Sequence, residues 1–366
     1  MKIREILGKK EEAKSKAGEA GVGPERAGIG ASWDPGLSYV RTDLAVEARD
    51  IARQYSGREI PGVESETDRT EHATVTRVKI MTEEAERLMG KVRGNYVTIE
   101  SPELRSKNRD IQEELAQLFA RELNGMLRLG KDATIMCCGL GNWHATPDAL
   151  GPRVLEYLMV TRHLYGLTPP ELRGGMRSVC AIAPGVLGIT GMETGEIIQG
   201  IVEKVKPDLV IVVDALAARS TQRVGTTIQM GDTGIHPGSG VGNRRFGITP
   251  DTLGVPVIAI GIPTVVDAIT IASDAMDLMA SQLAVGGGAA RGVARGAAQP
   301  PADFTLTPDQ KRNLIRQVLS PYMGKLIVTP KEIDDMIDDI AKIVAGGLNA
   351  ALHPNIDFDE ILEYLS

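Results

Sequence analysis

The sequence predicts an α/β fold: a mostly parallel sheet with helices on both faces, followed by C-terminal helices. Three observations predict it. Apolar runs of strand length, rich in Ile, Val, Met and Cys, recur at residues 134–138, 179–183, 209–213 and 255–262, and strands buried on both faces read this way. Segments with apolar residues at helical spacing fall between them, and strand alternating with helix is the pattern of parallel crossovers. Two of the runs lead into segments that each carry an aspartate, Asp148 and Asp214. The carboxyl edge of such a sheet is where open α/β folds place their ligands.

Taken in order, residues 1–36 are rich in Lys, Glu, Ala and Gly and are expected to be flexible, with too little apolar surface to fold alone. Ordered sequence is expected from about Tyr39. The β-branched runs at 73–80 and 95–100 predict strands. Over 110–129, Ile111, Leu115, Leu118, Phe119, Met126 and Leu127 share one helical face. Strand 134–138 is followed by a helix expected over 150–164, then by strand 179–183. Ile197, Ile198, Ile201, Val202 and Val205 mark a helix that Pro207 stops before strand 209–213. A Gly-rich loop is expected over 231–247 and a strand over 255–262. Pro263 is expected to open a helix running to about residue 284. Residues 286–304 form an Ala/Gly/Arg/Pro tract that reads as a flexible linker. Thr329-Pro330-Lys331-Glu332 predicts a capping box with Pro at the first helical position, and Ile333, Ile337, Ile340 and Val344 continue that helix.

Composition narrows the function. A chain of 366 residues can bury a large core, and its net charge of -7 argues against a nucleic-acid binder, which would be basic. No apolar stretch crosses a bilayer without interruption by charge or Gly. The first 24 residues mix Lys and Glu without an apolar core, unlike a secretory signal, so a cytoplasmic location is the default expectation. Cys137, Cys138 and Cys180 sit inside apolar runs without metal-ligand spacing and read as buried, reduced thiols.

Most motifs lead nowhere. Gly139-Leu140-Gly141 begins like a dinucleotide fingerprint, but the third glycine's position holds His144. Gly238-Ser239-Gly240-Val241-Gly242 lacks the Lys-Ser/Thr ending of a phosphate loop, although its glycines would let backbone approach an extended peptide. The five histidines form no zinc-hydrolase spacing. Ser220 and Ser239 lie in no nucleophile elbow. The two aspartates remain. Asp148 also fits as a helix N-cap, and Asp214 as a loop carboxylate satisfied by backbone N–H groups. A paired-carboxylate role is favoured by the flanking apolar strands, because a carboxylate at a desolvated strand end keeps its proton to higher pH.

Longer blocks carry a resemblance. The segment 38–48 (Ser-Tyr-Val-Arg-Thr-Asp-Leu-Ala-Val-Glu-Ala), the blocks 139–152, 207–220, 234–243 (Gly-Ile-His-Pro-Gly-Ser-Gly-Val-Gly-Asn) and 253–267, and 344–353 (Val-Ala-Gly-Gly-Leu-Asn-Ala-Ala-Leu-His) together resemble the germination proteases of spore-forming bacteria. The resemblance runs from about Tyr39 to His353. It implies a homotetrameric endopeptidase of the forespore or spore core that degrades small acid-soluble spore proteins. It also implies an atypical aspartic-type mechanism without cofactor or metal, and a fold similar to hydrogenase-maturation endopeptidases (phosphorylase/hydrolase-like). The family's two proposed catalytic aspartates fall on Asp148 and Asp214. Its self-processing point falls between Asp43 and Leu44, making 1–43 a pro-segment and 44–366 a single catalytic α/β domain. Thr42-Asp43-Leu44-Ala45-Val46-Glu47 is similar to the acidic-then-apolar pattern cut in the family's substrates. An acidic residue before the cut calls for a basic or donor-rich pocket. Arg219, Arg244 and Arg245 are candidates for it, with His236 and Ser239 as further substrate-binding candidates. The leader of residues 1–36 is longer than the family suggests. No direct nucleic-acid or membrane partner is expected. Two other readings stand beside this one: a nickel-dependent hydrogenase-maturation type endopeptidase, and a non-catalytic α/β binding module.

Overall fold

Nine strands form one sheet among the described residues: Val63–Arg69 (β1), Thr74–Ile80 (β2), Gly94–Glu100 (β3), Thr134–Gly139 (β4), Ser178–Ile182 (β5), Leu209–Ala218 (β6), Thr227–Gly231 (β7), Val257–Asp267 (β8) and Ile327–Val328 (β9). Their order is β1-β2-β3-β7-β8-β6-β4-β5, with β9 also on β8. The half β8-β6-β4-β5 is parallel. The half β1-β2-β3-β7 is antiparallel and joins the first half through the antiparallel β7–β8 pair. The computed structural model describes residues 42–56, 59–169, 173, 176–236, 246–286, 308–318 and 326–356, all within the unit Val40–Ser366. The leader 1–36, the tract 287–304 and most of the Gly-rich loop lie outside the described residues.

Helices cover both faces, as the α/β reading requires. On one face, Ile135, Cys137, Ile211, Val213, Ile258, Ile260 and Ile262 share a core with Phe119, Leu123, Ile340 and Val344. That face carries helices Arg109–Met126, Leu150–Glu156 and Ile333–Leu352. On the other face, Met136, Cys138, Val210 and Val212 meet Ile198 and Val202 of helix Thr194–Val205. Further along that second face, helices Ala45–Ser56 and Glu83–Met89 bury Ala45, Ala48, Ala85 and Met89 against Val78, Ile80 and Tyr96. In chain order these helices are α1 (Ala45–Ser56), α2 (Glu83–Met89), α3 (Arg109–Met126), α4 (Leu150–Glu156), α5 (Thr194–Val205) and, at the C-terminal end, α6 (Ala268–Gly286), α7 (Pro308–Val318) and α8 (Ile333–Leu352).

Three local expectations are corrected. The helix expected over 150–164 stops at Glu156. Its next backbone groups turn to Asn349 of α8, which donates to the Tyr157 carbonyl (3.0 Å) and accepts from the Met159 N–H (2.9 Å). Pro263 does not open a helix. β8 runs on to Asp267, pairing Val265 and Val266 with Ala217 and Ala218, and Pro263 sits where the β6–β8 register shifts, a place that tolerates a missing donor. The capping box at Thr329 does not form. The Thr329 hydroxyl donates to the Thr264 carbonyl at 2.9 Å, and α8 starts behind Glu332 without a side-chain cap.

Candidate active site

Asp148 is placed by a loop that folds back on itself. One residue beyond β4, the Leu140 N–H donates to the Val213 carbonyl at 2.8 Å. The chain then turns at Gly141, whose φ of +119 favours glycine and where a Cβ would collide with the Asp148 carbonyl oxygen. The Asn142 N–H donates to that same oxygen at 2.9 Å. The Thr264 hydroxyl of β8 holds the Pro147 carbonyl at 2.6 Å. The single turn Thr146–Asp148 is thereby tied over the carboxyl ends of β4, β6 and β8. Asp148 does not cap α4: the N-cap is Ala149, with no side-chain cap bond.

Asp214 lies on β6 and is 7% exposed. Its Oδ1 accepts from the Ala215 N–H at 2.9 Å. Gly139 pairs with Val213, so Asp214 stands one residue past the end of the β4–β6 ladder. Asp214 therefore stands on β6 beside the point where the chain leaves β4, and Asp148 stands on the turn that folds back over that point.

The register places a polar row beside Asp214. Asp214 pairs with Gly261, Gly261 with Gln229, Gln229 with Thr98 and Thr98 with Thr76. Residues in one row point to one face, here the α1/α5 face. Gly261 contributes no side chain, and a Cβ there would collide with Leu216 Cδ1. The Leu216 side chain takes that space instead and floors a trough between Asp214 and Gln229, whose Cα atoms are two strand spacings apart, about 10 Å.

The segment 42–47 lies along this trough. The Asp43 carboxylate accepts from the Ala217 N–H at 3.1 Å. The Asp43 carbonyl accepts from Lys91 Nζ at 2.7 Å and from Gln229 Nε2 at 3.0 Å. Leu44 is fully buried with Val46 and Leu216, against Ile235. The Ala45 N–H donates to Gln229 Oε1 at 2.5 Å. The Glu47 carboxylate, 3% exposed, accepts from Thr42 Oγ1, from the Arg219 N–H (3.0 Å) and from the Ser220 N–H (3.1 Å), and pairs with Arg223 at 3.3 Å. Burial holds the Lys91 pKa below the ordinary lysine value, while Asp43 and Glu47 pull it upward.

The other candidates are distributed as follows. The Arg219 guanidinium is engaged by Asp274 through two bonds of 2.8 and 3.1 Å and also feels the charge of Glu47, while the residue's hydrogen bond to the segment comes from its backbone N–H. His236 lines a cavity of about 250 Å³ together with Asp43, Lys91, Leu216, Gln229 and Gly261. Ser239, Arg244 and Arg245 lie outside the described residues. Cys137 and Cys138 are buried, and burial pushes both thiols up, as it does the half-buried Cys180.

Sequence reasoning missed Lys91, Gln229, Glu47 and Arg223. Gln229 left a signal, a lone amide within the apolar run 228–230. Lys91 left none, being one of many surface-type lysines until the fold turns it inward.

A buried carboxylate on β6, a second carboxylate on the turn beyond β4, and a length of chain laid on the sheet face that bears the first suit a site for handling peptide. The comparisons agree with that class. A profile described as germination protease matches residues 41–286 and 304–365. The germination protease of Clostridium tetani is 45% identical over 332 residues, covering 89% of this chain and 99% of the relative. Those of Caldanaerobacter subterraneus subsp. tengcongensis and Clostridium perfringens are each 48% identical, covering 89% of this chain and 98% and 99% of theirs. Among solved structures, a NiFe hydrogenase maturation protease from Thermococcus kodakarensis is 22% identical over 39% of this chain and 80% of its own, at a TM-score of 0.27, too slight a likeness to bear on the chemistry. The chain belongs to the germination protease family and is an endopeptidase. The profile's break between 286 and 304 coincides with the tract read from sequence as a linker.

Proposed function

We propose that this endopeptidase begins the breakdown of small acid-soluble spore proteins during germination, and that it is made as a zymogen that cuts itself between Asp43 and Leu44. One observation carries the reading. The Asp43–Leu44 peptide bond lies on the sheet face that bears Asp214, and its flanking residues 42–47 are each held by a hydrogen bond or an apolar contact. A segment lying there occupies the ground a substrate would need, so the uncut chain is inhibited by occupancy.

The mechanism is aspartic-type, with Asp148 and Asp214 as the pair. Two neighbouring carboxylates cannot both ionise cheaply and share a proton. The ionised one takes a proton from water, and the protonated one polarises the scissile carbonyl. No metal or cofactor enters this scheme. The acting form is a homotetramer of the forespore or spore core. Among the described residues no helix is long and apolar enough to cross a membrane.

The test is to incubate the purified chain with a small acid-soluble spore protein, with and without chelator, and to sequence the new N-termini. Cleavage that survives chelator, with a mature N-terminus at Leu44, is expected. Chelator-sensitive cleavage would return the reading to a metal-dependent peptidase, and intact spore protein would remove the substrate.

A further inference from the structure

When a peptide bond is cut, its carbonyl oxygen takes up negative charge, and the oxygen of Asp43 already faces two donors, Lys91 Nζ at 2.7 Å and Gln229 Nε2 at 3.0 Å. We infer that Lys91 and Gln229 are the carbonyl donors of the peptidase reaction, both for the chain's own bond and for a substrate peptide that later occupies the same trough. This rests on the self-processing reading above.

Three arguments carry it. The first is that the start of α1 does not explain the contact. A helix start leaves N–H groups unpaired, not carbonyls, and Gln229 Oε1 already satisfies the Ala45 N–H. The Asp43 carbonyl lies before the helix, where one ordinary partner would suffice. Instead it draws a second donor that carries charge, although withdrawing an ammonium from water is costly.

The second argument is register. Gln229 stands in the same row as Asp214, with Gly261 between them beneath the Leu216 side chain. Asp43 is bonded to Ala217 of β6 through its carboxylate and to Gln229 of β7 through its carbonyl, so its carbonyl carbon lies between β7 and the strand that carries Asp214.

The third is rigidity. Lys91 follows directly on Gly90, the left-handed C-cap of α2 (φ 63), whose N–H is bound to the Glu86 carbonyl. Gln229 is 9% exposed within β7. Donors fixed in advance need no reorganisation when charge develops.

The chemistry balances without an added reagent. Water, giving a proton to the ionised aspartate, adds its oxygen to the Asp43 carbonyl carbon, and the carbonyl electron pair moves onto the oxygen that Lys91 and Gln229 face, so that these donors share with the protonated aspartate the polarisation described above. When the tetrahedral centre collapses, the C–N bond breaks and a proton from the water passes to the Leu44 nitrogen. The products are the Asp43 carboxyl and the Leu44 amine. A charge-assisted bond from an ammonium strengthens as the oxygen becomes an anion, so the pair favours the transition state over the resting peptide.

The experiment uses Lys91→Met and Gln229→Met, each in the full chain and in the chain starting at Leu44. Self-processing is read by N-terminal sequencing over time, and cleavage of a small acid-soluble spore protein by kcat and KM. Lys91→Met is expected to slow self-processing and lower kcat on separate substrate by roughly 100-fold, with KM and the thermal midpoint little changed. Gln229→Met should lose roughly 10-fold or more in kcat. A role limited to docking the chain's own segment predicts unchanged kcat once Asp43 is gone, and that result, or a loss confined to KM, overturns the inference. If Gln229→Met does not fold, Gln229→Glu keeps the acceptor for Ala45 and removes the donor, and the same kcat criterion applies. A wild-type chain whose new N-terminus lies away from Leu44 overturns the processing reading and the donor pair with it. Normal wild-type cleavage beside fully active variants overturns the donor pair alone.

Discussion

In the half of the sheet made by β8, β6, β4 and β5, strands run parallel and are buried on both faces. In the half made by β1, β2, β3 and β7 they run antiparallel, and β1 is almost wholly exposed. The parallel half carries Asp214 on β6 and Asp148 on the turn beyond β4. The antiparallel half supplies Gln229 from β7 and, from the turn before β3, Lys91. Neither half alone makes the site. The segment 42–47 spans the seam between them, bonded to Ala217 on one side and to Gln229 and Lys91 on the other. On the reading proposed above, the parallel half supplies the two carboxylates and the added antiparallel strands the surface that holds a peptide.

The sharpest break in that division is to disarm the parallel edge alone. Asp214→Asn and Asp148→Asn should each cut proteolysis on the order of 10⁴-fold, both for self-processing and for separate substrate, with circular dichroism and thermal midpoint unchanged. Cys137→Ala with Cys138→Ala should keep substantial activity, because both thiols are buried and held protonated. An active Asp214→Asn protein would move the chemistry to another edge. Next in size comes Gly141→Ala. It forces a side chain onto a φ of +119 and against the Asp148 carbonyl, so a loss of about 2–4 kcal/mol in stability is expected. Shifting Asp148 by an ångström should also lower turnover on the order of 10²-fold. Urea unfolding and kcat measured on one sample would show whether stability and turnover fall together; a normal kcat would mean that the loop does not position Asp148.

The two halves differed as much in legibility. The runs 134–138 and 209–213 are apolar because both sides of each strand are covered, and their aspartates stand out against that background. The antiparallel half has no such contrast. β1, Val-Glu-Ser-Glu-Thr-Asp-Arg, is polar on both faces and was not expected as a strand. It exists because β2 pairs with it along seven residues, a tertiary fact with no local signature. β7 was hidden at the edge of the expected Gly-rich loop. The expected helix over 150–164 followed its apolar spacing, but Asn349, nearly two hundred residues away, claims its backbone. Asp148 and Asp214 could be singled out by residue type and position, whereas Lys91 and Gln229, whose bonds to the Asp43 carbonyl arise only from the fold, could not.

A smaller effect tests how the segment is anchored beyond the seam. Glu47 is buried and binds two backbone N–H groups and Arg223. Glu47→Gln keeps the shape and removes the charge, at a cost of about 1.5–3 kcal/mol for bonds to a charged group. Arg223 keeps Glu100 at 2.8 Å, which moderates the loss. Self-processing should slow roughly 10-fold or more. Arg219→Ala should change it by no more than about 2-fold, since the hydrogen bond to Glu47 comes from the backbone N–H of residue 219, its side chain adds only charge attraction without a bond, and its partly exposed pair with Asp274 is worth little. Equal effects from the two variants would mean that the Arg219 side chain, not the peptide backbone, holds the segment.

The smallest effect belongs to the outer edge of the parallel half. His353, at the end of α8, is fully buried; its Nδ1 accepts from the Arg177 N–H at 3.3 Å just before β5, and its Nε2 faces the Met159 carbonyl. Burial holds its pKa below the ordinary 6.5; the bond to the Met159 carbonyl opposes this, and the charge of Arg177 adds to it. The folded protein therefore binds this proton more weakly than the unfolded chain does. Stability from this group is complete above pH 6.5, declines as pH falls below that value, and stops declining below the depressed folded pKa. Thermal midpoints of wild type and His353→Gln, measured from pH 7.5 to pH 5, should diverge below about pH 6.5, the wild type falling faster. Other titrating groups move both curves alike, so the difference isolates His353. Curves that stay parallel across the range would remove the buried imidazole as a source of acid sensitivity.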